Sequence, residues 1–141
     1  MIQQDNARPH LQPNDLEFTE AAKNLGIDVR IDLQPPNSPD LNVLDLGYFN
    51  SIQSLQHTES PKNIVELINV VNESYDKLEP NKLLKIFLTL QTVMEQILLN
   101  DGGNEYKLVH MSKSKLEREG RLPESIRASD KLLQKLGINA D

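Results

Sequence analysis

The chain has 141 residues, of which 38% are hydrophobic, and a net charge of −6 with no cysteine. That length supports one domain with a modest core. The lack of cysteine excludes disulfides and zinc–thiolate sites.

No apolar run approaches the ~20 residues that span a bilayer. The start, Met1-Ile2-Gln3-Gln4-Asp5, has neither the basic nor the apolar region of a secretory signal. The expectation is therefore a soluble, non-secreted protein. Proteins that grip DNA through phosphates usually carry a basic face, and no large one is visible here. Basic residues gather late (Lys107, Lys113, Lys115, Arg118, Arg121, Arg127, Lys131, Lys135), with acidic residues interleaved. This stretch reads as a solvated mixed-charge surface rather than a DNA-binding patch.

Residues 1–5 read as the end of a strand. Asn14 is the expected N-cap of a helix, with Glu17 three residues on as in a capping box. Phe18, Ala21, Ala22 and Leu25 then fall on one helical stripe, and Gly26 is placed to end it in the left-handed conformation. Ile27, Val29, Ile31 and Leu33 alternate with polar residues, so 27–33 reads as a strand at a sheet edge. Strand, helix and strand make a parallel βαβ unit. Pro35-Pro36-Asn37-Ser38-Pro39 must be a shaped loop.

A helix over about 42–57 follows, with Asp45 in its first turn, where the helix N-terminus favours negative charge. Ser60-Pro61 reads as the cap and first position of a helix over 61–78, carrying the stripe Ile64, Ile68, Val71, Tyr75 and Leu78 as core. Pro80 opens a helix over about 81–99, with Leu83, Phe87, Leu90, Met94 and Ile97 on its apolar side and Gly102-Gly103 as its stop. Tyr106, Leu108 and Met111 read as an extended segment. Ser112 is the expected cap of a short helix reaching Glu119. A last helix is expected over 124–136, with Ile126, Leu132, Leu133 and Leu136 on it and Gly137 ending it. The organisation reads as a core at 1–60, a helical part at 61–123 and a helical tail at 124–141.

Two carboxylates stand out. Asp5 would lie at the carboxyl end of a parallel strand, where such sheets place their ligands, and Asp45 follows the proline-rich loop. Each has a plainer reading: Asp5-Asn6 is a common turn pair, and Asp45 is an ordinary acidic residue of a first helical turn. Asp40 reads as a cap or loop hydrogen-bonder and His10 as a structural hydrogen bond. His57 and His110 have no partner at metal spacing and read as surface residues. Arg8 would reach a DNA phosphate or pair with a carboxylate.

Taken together, Asp5-Asn6-Ala7-Arg8-Pro9-His10, Pro35-Pro36-Asn37-Ser38-Pro39-Asp40-Leu41-Asn42 and Leu44-Asp45-Leu46-Gly47-Tyr48-Phe49 resemble, in order and spacing, the catalytic domain of mariner-like DNA transposases of the plant-type branch. A weaker resemblance runs on through Gly102-Gly103-Asn104, Tyr106-Lys107, His110-Met111 and Leu116-Glu117-Arg118-Glu119-Gly120, to about residue 123. The resemblance implies an α/β, truncated ribonuclease-H-like fold: a βαβ unit with following α-helices, its first strands missing.

It also implies that Asp5 matches the second catalytic aspartate and Asp45 the third, both as metal ligands. Asn6, Arg8, His10 and Asp40 form supporting loops. The first aspartate would sit on a strand preceding Met1. Such enzymes cut and join DNA at transposon ends with two Mg2+ or Mn2+ ions ~4 Å apart. Carried to this chain, the resemblance implies weak metal binding and no cleavage by the chain alone. For the full-length parent it implies DNA and a second copy as partners, no membrane, and a nuclear location. The alternatives are a host-retained, non-catalytic remnant that binds DNA or protein, and a poorly folding relic.

Overall fold

The computed structural model describes residues 1–138, so the end of the expected tail lies outside the described residues. The chain is mixed α/β and mostly helical. It divides into two compact units, Met1–Asn42 and Val43–Asp141.

The first unit is a strand–helix–strand unit: β1 (Ile2–Gln4), α1 (Leu16–Asn24) and β2 (Ile31–Leu33). The strands are parallel, with Ile2 opposite Ile31 and Gln4 opposite Leu33. The expected second strand is shortened at its start. Ile27 and Val29 keep the alternation, but β1 offers only three residues to pair with, and an unpaired stretch gains no ladder. The cap of α1 is Asp15 rather than Asn14; its Oδ1 accepts the amide of Phe18 at 2.8 Å. Gly26 does end the helix, at φ 65°. The amide of Ile27 reaches back to the carbonyl of Ala22 at 3.0 Å, closing a Schellman-type turn. Ile31 is the one buried apolar side chain in this unit among the described residues, and Leu25 and Leu16 remain more than 70% exposed.

The second unit begins with a π-helical segment, Leu44–Tyr48, that runs into α2 (Phe49–Glu59). Four more helices follow: α3 (Ile64–Asp76), α4 (Pro80–Leu99), α5 (Lys113–Arg118) and α6 (Asp130–Lys135). α2 packs on α3, and the π-helical segment and α6 pack on α4. Leu88 and Val93, in the middle of α4, are the fully buried side chains, with Ile86 and Thr92 beside them.

Two apolar stripes turn out differently from the expectation. On α3, Ser74 is buried and Leu67 and Val70 are half-buried, whereas Ile64, Ile68, Val71 and Tyr75 face solvent. α3 carries apolar residues on two neighbouring stripes, and periodicity alone does not say which one meets α2. On α4 the expected Phe87 and Met94 are exposed, and the buried side is centred on Leu88 and Val93.

The cap of α3 also moves. Asn63 Oδ1 accepts the amide of Glu66 at 2.9 Å, and Glu66 accepts the amide of Lys62 at 2.8 Å. Ser60 instead closes α2 in the left-handed region, at φ 48°. Lys77, at the C-terminus of α3, contacts Glu73 at 3.1 Å and Glu59 at 3.8 Å. The hydrogen bond to Glu73, and then its charge, hold this ammonium above the usual lysine range. Being exposed, such a pair contributes little to stability.

Residues 124–129 are not helical, contrary to expectation, because α4 uses their amides. Gln91 Oε1 accepts from Ile126 at 2.6 Å and Glu95 Oε1 from Ser129 at 3.0 Å. The helix therefore starts only after Ser129, whose hydroxyl accepts from the amide of Leu132. Lys135 then donates to the Leu99 carbonyl at 2.7 Å, anchoring α6 to the end of α4. Among the described residues, no helix is long and apolar enough to cross a membrane.

Leu88→Ala removes a fully buried side chain and should cost about 2–5 kcal/mol, whereas Ile68→Ala on the exposed stripe should cost roughly 0.5 kcal/mol or less; urea midpoints of the two variants check this. For the caps, Asn63→Ala should lose about 1 kcal/mol, while Ser60→Gly relieves a left-handed residue and should raise the thermal midpoint.

Candidate functional site

Asp5 follows the carboxyl end of β1 directly. Its Oδ1 accepts the amide of Ala7 at 2.9 Å, the Asx-turn of its plainer reading. His10 Nδ1 lies 2.8 Å from the same oxygen and 3.2 Å from the Asp5 carbonyl. The amide of His10 donates to the Ala7 carbonyl at 3.1 Å, so residues 5–10 form a closed loop. His10 thus has the loop-shaping hydrogen bond expected of it. The pair is open to solvent, with side chains 40% and 51% exposed.

The loop is fastened to the sheet through Gln34, the residue after β2. Its amide donates to the Gln4 carbonyl at 2.8 Å, lengthening the ladder. Its carbonyl accepts from Asn6 Nδ2 at 2.8 Å, and its side chain donates to the Ser38 carbonyl at 2.5 Å. Gln34 is buried, and among the described residues its Oε1 has no hydrogen-bond partner. Sequence reading passed over this residue. The available signal was a polar residue between the alternating run and Pro35-Pro36, where a buried strand end must satisfy its backbone. Gln3 acts similarly, donating to the Leu41 carbonyl at 2.8 Å and so holding the 3-10 turn Pro39–Leu41 that carries Asp40.

Asp5, Asn6 and Arg8 line one cleft of about 280 Å3 together with Ala7, Gln12 and Leu33. Arg8 thus shares a cleft with the Asp5 carboxylate. Asp40 lies in the next loop of the same unit. Asp45 belongs to the second unit, exposed in the first turn of the π-helical segment. Among the described residues, no three His, Cys, Asp or Glu side chains gather as a metal cage; the set expected from sequence has only two.

Both Asp5 contacts fall on Oδ1, which leaves Oδ2 for a cation. Carboxylate oxygens in a chain without cysteine fit a hard ion such as Mg2+ or Mn2+ better than a thiophilic one.

The π-helical turn under Asp45 depends on Gly47. A Cβ there would come within 3.1 Å of Ile86 Cγ1 on α4, and the Gly47 carbonyl accepts the Ser51 hydroxyl at 2.8 Å. π-turns often accompany functional positions, and Asp45 lies in the same turn as Gly47. Gly47→Val should overpack against Ile86 and cost about 1–3 kcal/mol, read as a lowered urea midpoint.

The chain matches no family model, no curated protein and no solved structure in the three comparisons with known proteins.

Proposed function

We propose that this chain is part of the catalytic domain of a mariner-like DNA transposase, with Asp5 and Asp45 as two of its metal-holding carboxylates. The observation that carries the reading is the placement of Asp5 at the carboxyl end of a parallel strand, in a closed loop with Asn6 and His10 and in one cleft with Arg8. Ligand sites of open α/β sheets collect at such strand ends. A truncated ribonuclease-H-like sheet fits the exposed strand residues Ile2 and Leu33, each 47% accessible. When bound, Mg2+ or Mn2+ would activate the attacking oxygen and stabilise the leaving one in phosphodiester cleavage. Toward that chemistry, Asp5 and Asp45 offer hard oxygens, His10 holds the Asp5 loop closed, and Arg8 is the cation nearest to hand for a DNA phosphate. The proposed partners are transposon-end DNA and a second copy of the chain, in the nucleus.

A second reading rests on a different observation. α3 turns Ile64, Val65, Ile68 and Tyr75 to solvent, each more than half exposed. An apolar helical stripe of this kind suits a non-catalytic remnant that binds another protein.

Mn2+ binding followed by electron paramagnetic resonance separates the two. On the catalytic reading, Asp5→Ala and Asp45→Ala each weaken Mn2+ binding about tenfold or more, since even outer-shell partners of a metal contribute 10–100-fold. Mn2+ binding unchanged in both variants would overturn the catalytic reading and favour the interaction module. Supercoiled DNA should stay intact in Mg2+ with the chain alone; nicking that disappears in Asp5→Ala would show instead that the chain carries a working site.

A further inference from the structure

In the second unit, α4, the segment 108–112 and α5 line a cleft of about 520 Å3. Its lining includes Lys85, Lys113, Lys115 and His110, with no aspartate or glutamate among the lining residues. The chain as a whole has net charge −6, and most late basic residues stay interleaved with acids, as in the Lys115–Glu119, Arg121–Glu119 and Lys135–Asp101 pairs.

Lys113 is half-buried rather than solvated. Its Nζ donates to the Lys85 carbonyl at 2.7 Å and to the Thr89 hydroxyl. An ammonium carries three protons, so one remains for the cleft. Lys85 is itself held by Glu117 at 2.5 Å, and Lys115 lies 3.9 Å from Glu119 at the surface. His110 Nδ1 accepts the Ser112 amide at 3.2 Å, which assigns the ring proton to Nε2 and makes that nitrogen a donor. Ser112 sits in the left-handed region at φ 51° and makes no side-chain cap to α5. Non-glycine residues held there are strained, and such strain concentrates at binding sites. Burial, and then the charge of Lys85, lower the affinity of Lys113 for its proton. An anion in the cleft would offset that repulsion.

We propose that this cleft binds a phosphate group, with Lys113 as the fixed central cation, Lys115, His110 and Ser112 as further donors, and Leu108 and Met111 as an apolar wall for the molecule that carries the phosphate. Lysines and hydroxyls without an arginine fork suit a tetrahedral phosphate better than a planar carboxylate. The site involves neither Asp5 nor Asp45 and stands or falls separately from the transposase reading.

Pyridoxal 5′-phosphate tests it directly, because it couples a phosphate to an aldehyde. A neutral lysine amine adds to the aldehyde and loses water to give an imine, which borohydride reduces to a stable secondary amine; peptide mapping then locates the label. On the proposal, Lys113 or Lys115 takes most of the label, pyridoxal without its phosphate labels neither preferentially, and inorganic phosphate abolishes the preference. These experiments use the native chain, so they do not depend on a variant that folds. His110→Gln and Lys115→Met, which leave the Lys113 anchors in place, should weaken the phosphate protection. Protection by deoxyadenosine monophosphate but not by a 12-nucleotide DNA strand assigns the site to small phosphorylated molecules; protection by the strand at lower concentration assigns it to a DNA backbone. Label spread evenly over the lysines, or no protection by any of the three, overturns the proposal.

Discussion

The second unit depends on the burial of Leu88 and Val93 in the middle of α4. Each neighbour is attached to α4 by a different device. The π-helical segment approaches through the bare Cα of Gly47, against Ile86. The chain before α6 is held by the side-chain oxygens of Gln91 and Glu95, and α6 itself by Lys135. α5 is fixed by Lys113 and by the Lys85–Glu117 pair. Most of these attachments are polar, and a polar contact made in water contributes only about 1 kcal/mol net. The apolar centre of α4 is therefore what the unit rests on, and the attachments decide where the short elements lie.

The first unit has little such centre. Its order comes from the three-residue parallel ladder and from glutamines and asparagines that satisfy backbone groups at the strand ends. Gln34 joins three of these contacts. A loop fixed by hydrogen bonds rather than by burial keeps its polar groups accessible, which suits a site that handles a cation or a phosphate. It also gives low resistance to local opening.

The two candidate sites are built on opposite electrostatic logic. Around Asp5 a carboxylate is paired with an imidazole and stays in water, where pairing is weak. Around Lys113 the ammonium is drawn partly out of water and held beside a second lysine, which raises its demand for an anion. The acidic site follows from a resemblance of motifs. The basic one follows only from packing, because nothing in the run Met111-Ser112-Lys113-Ser114-Lys115 distinguishes one lysine from the other.

The positions of α1, α3 and α4, the glycine stop at Gly26, Pro80 opening α4, and strand–helix–strand order were legible from residues alone, because local backbone preferences and period-3.6 or period-2 patterns act over a few neighbours. Cap positions slipped from Asn14 to Asp15 and from Ser60 to Asn63, since adjacent polar residues compete for the same amides and only the closed geometry selects one. Which stripe of α3 is buried, why 124–129 is not a helix, the role of Gln34 and the seating of Lys113 were decided by tertiary structure. Each of these depends on a partner more than 20 residues away in the chain or on another element's face, and no local pattern encodes which of two apolar or two polar surfaces that partner will cover.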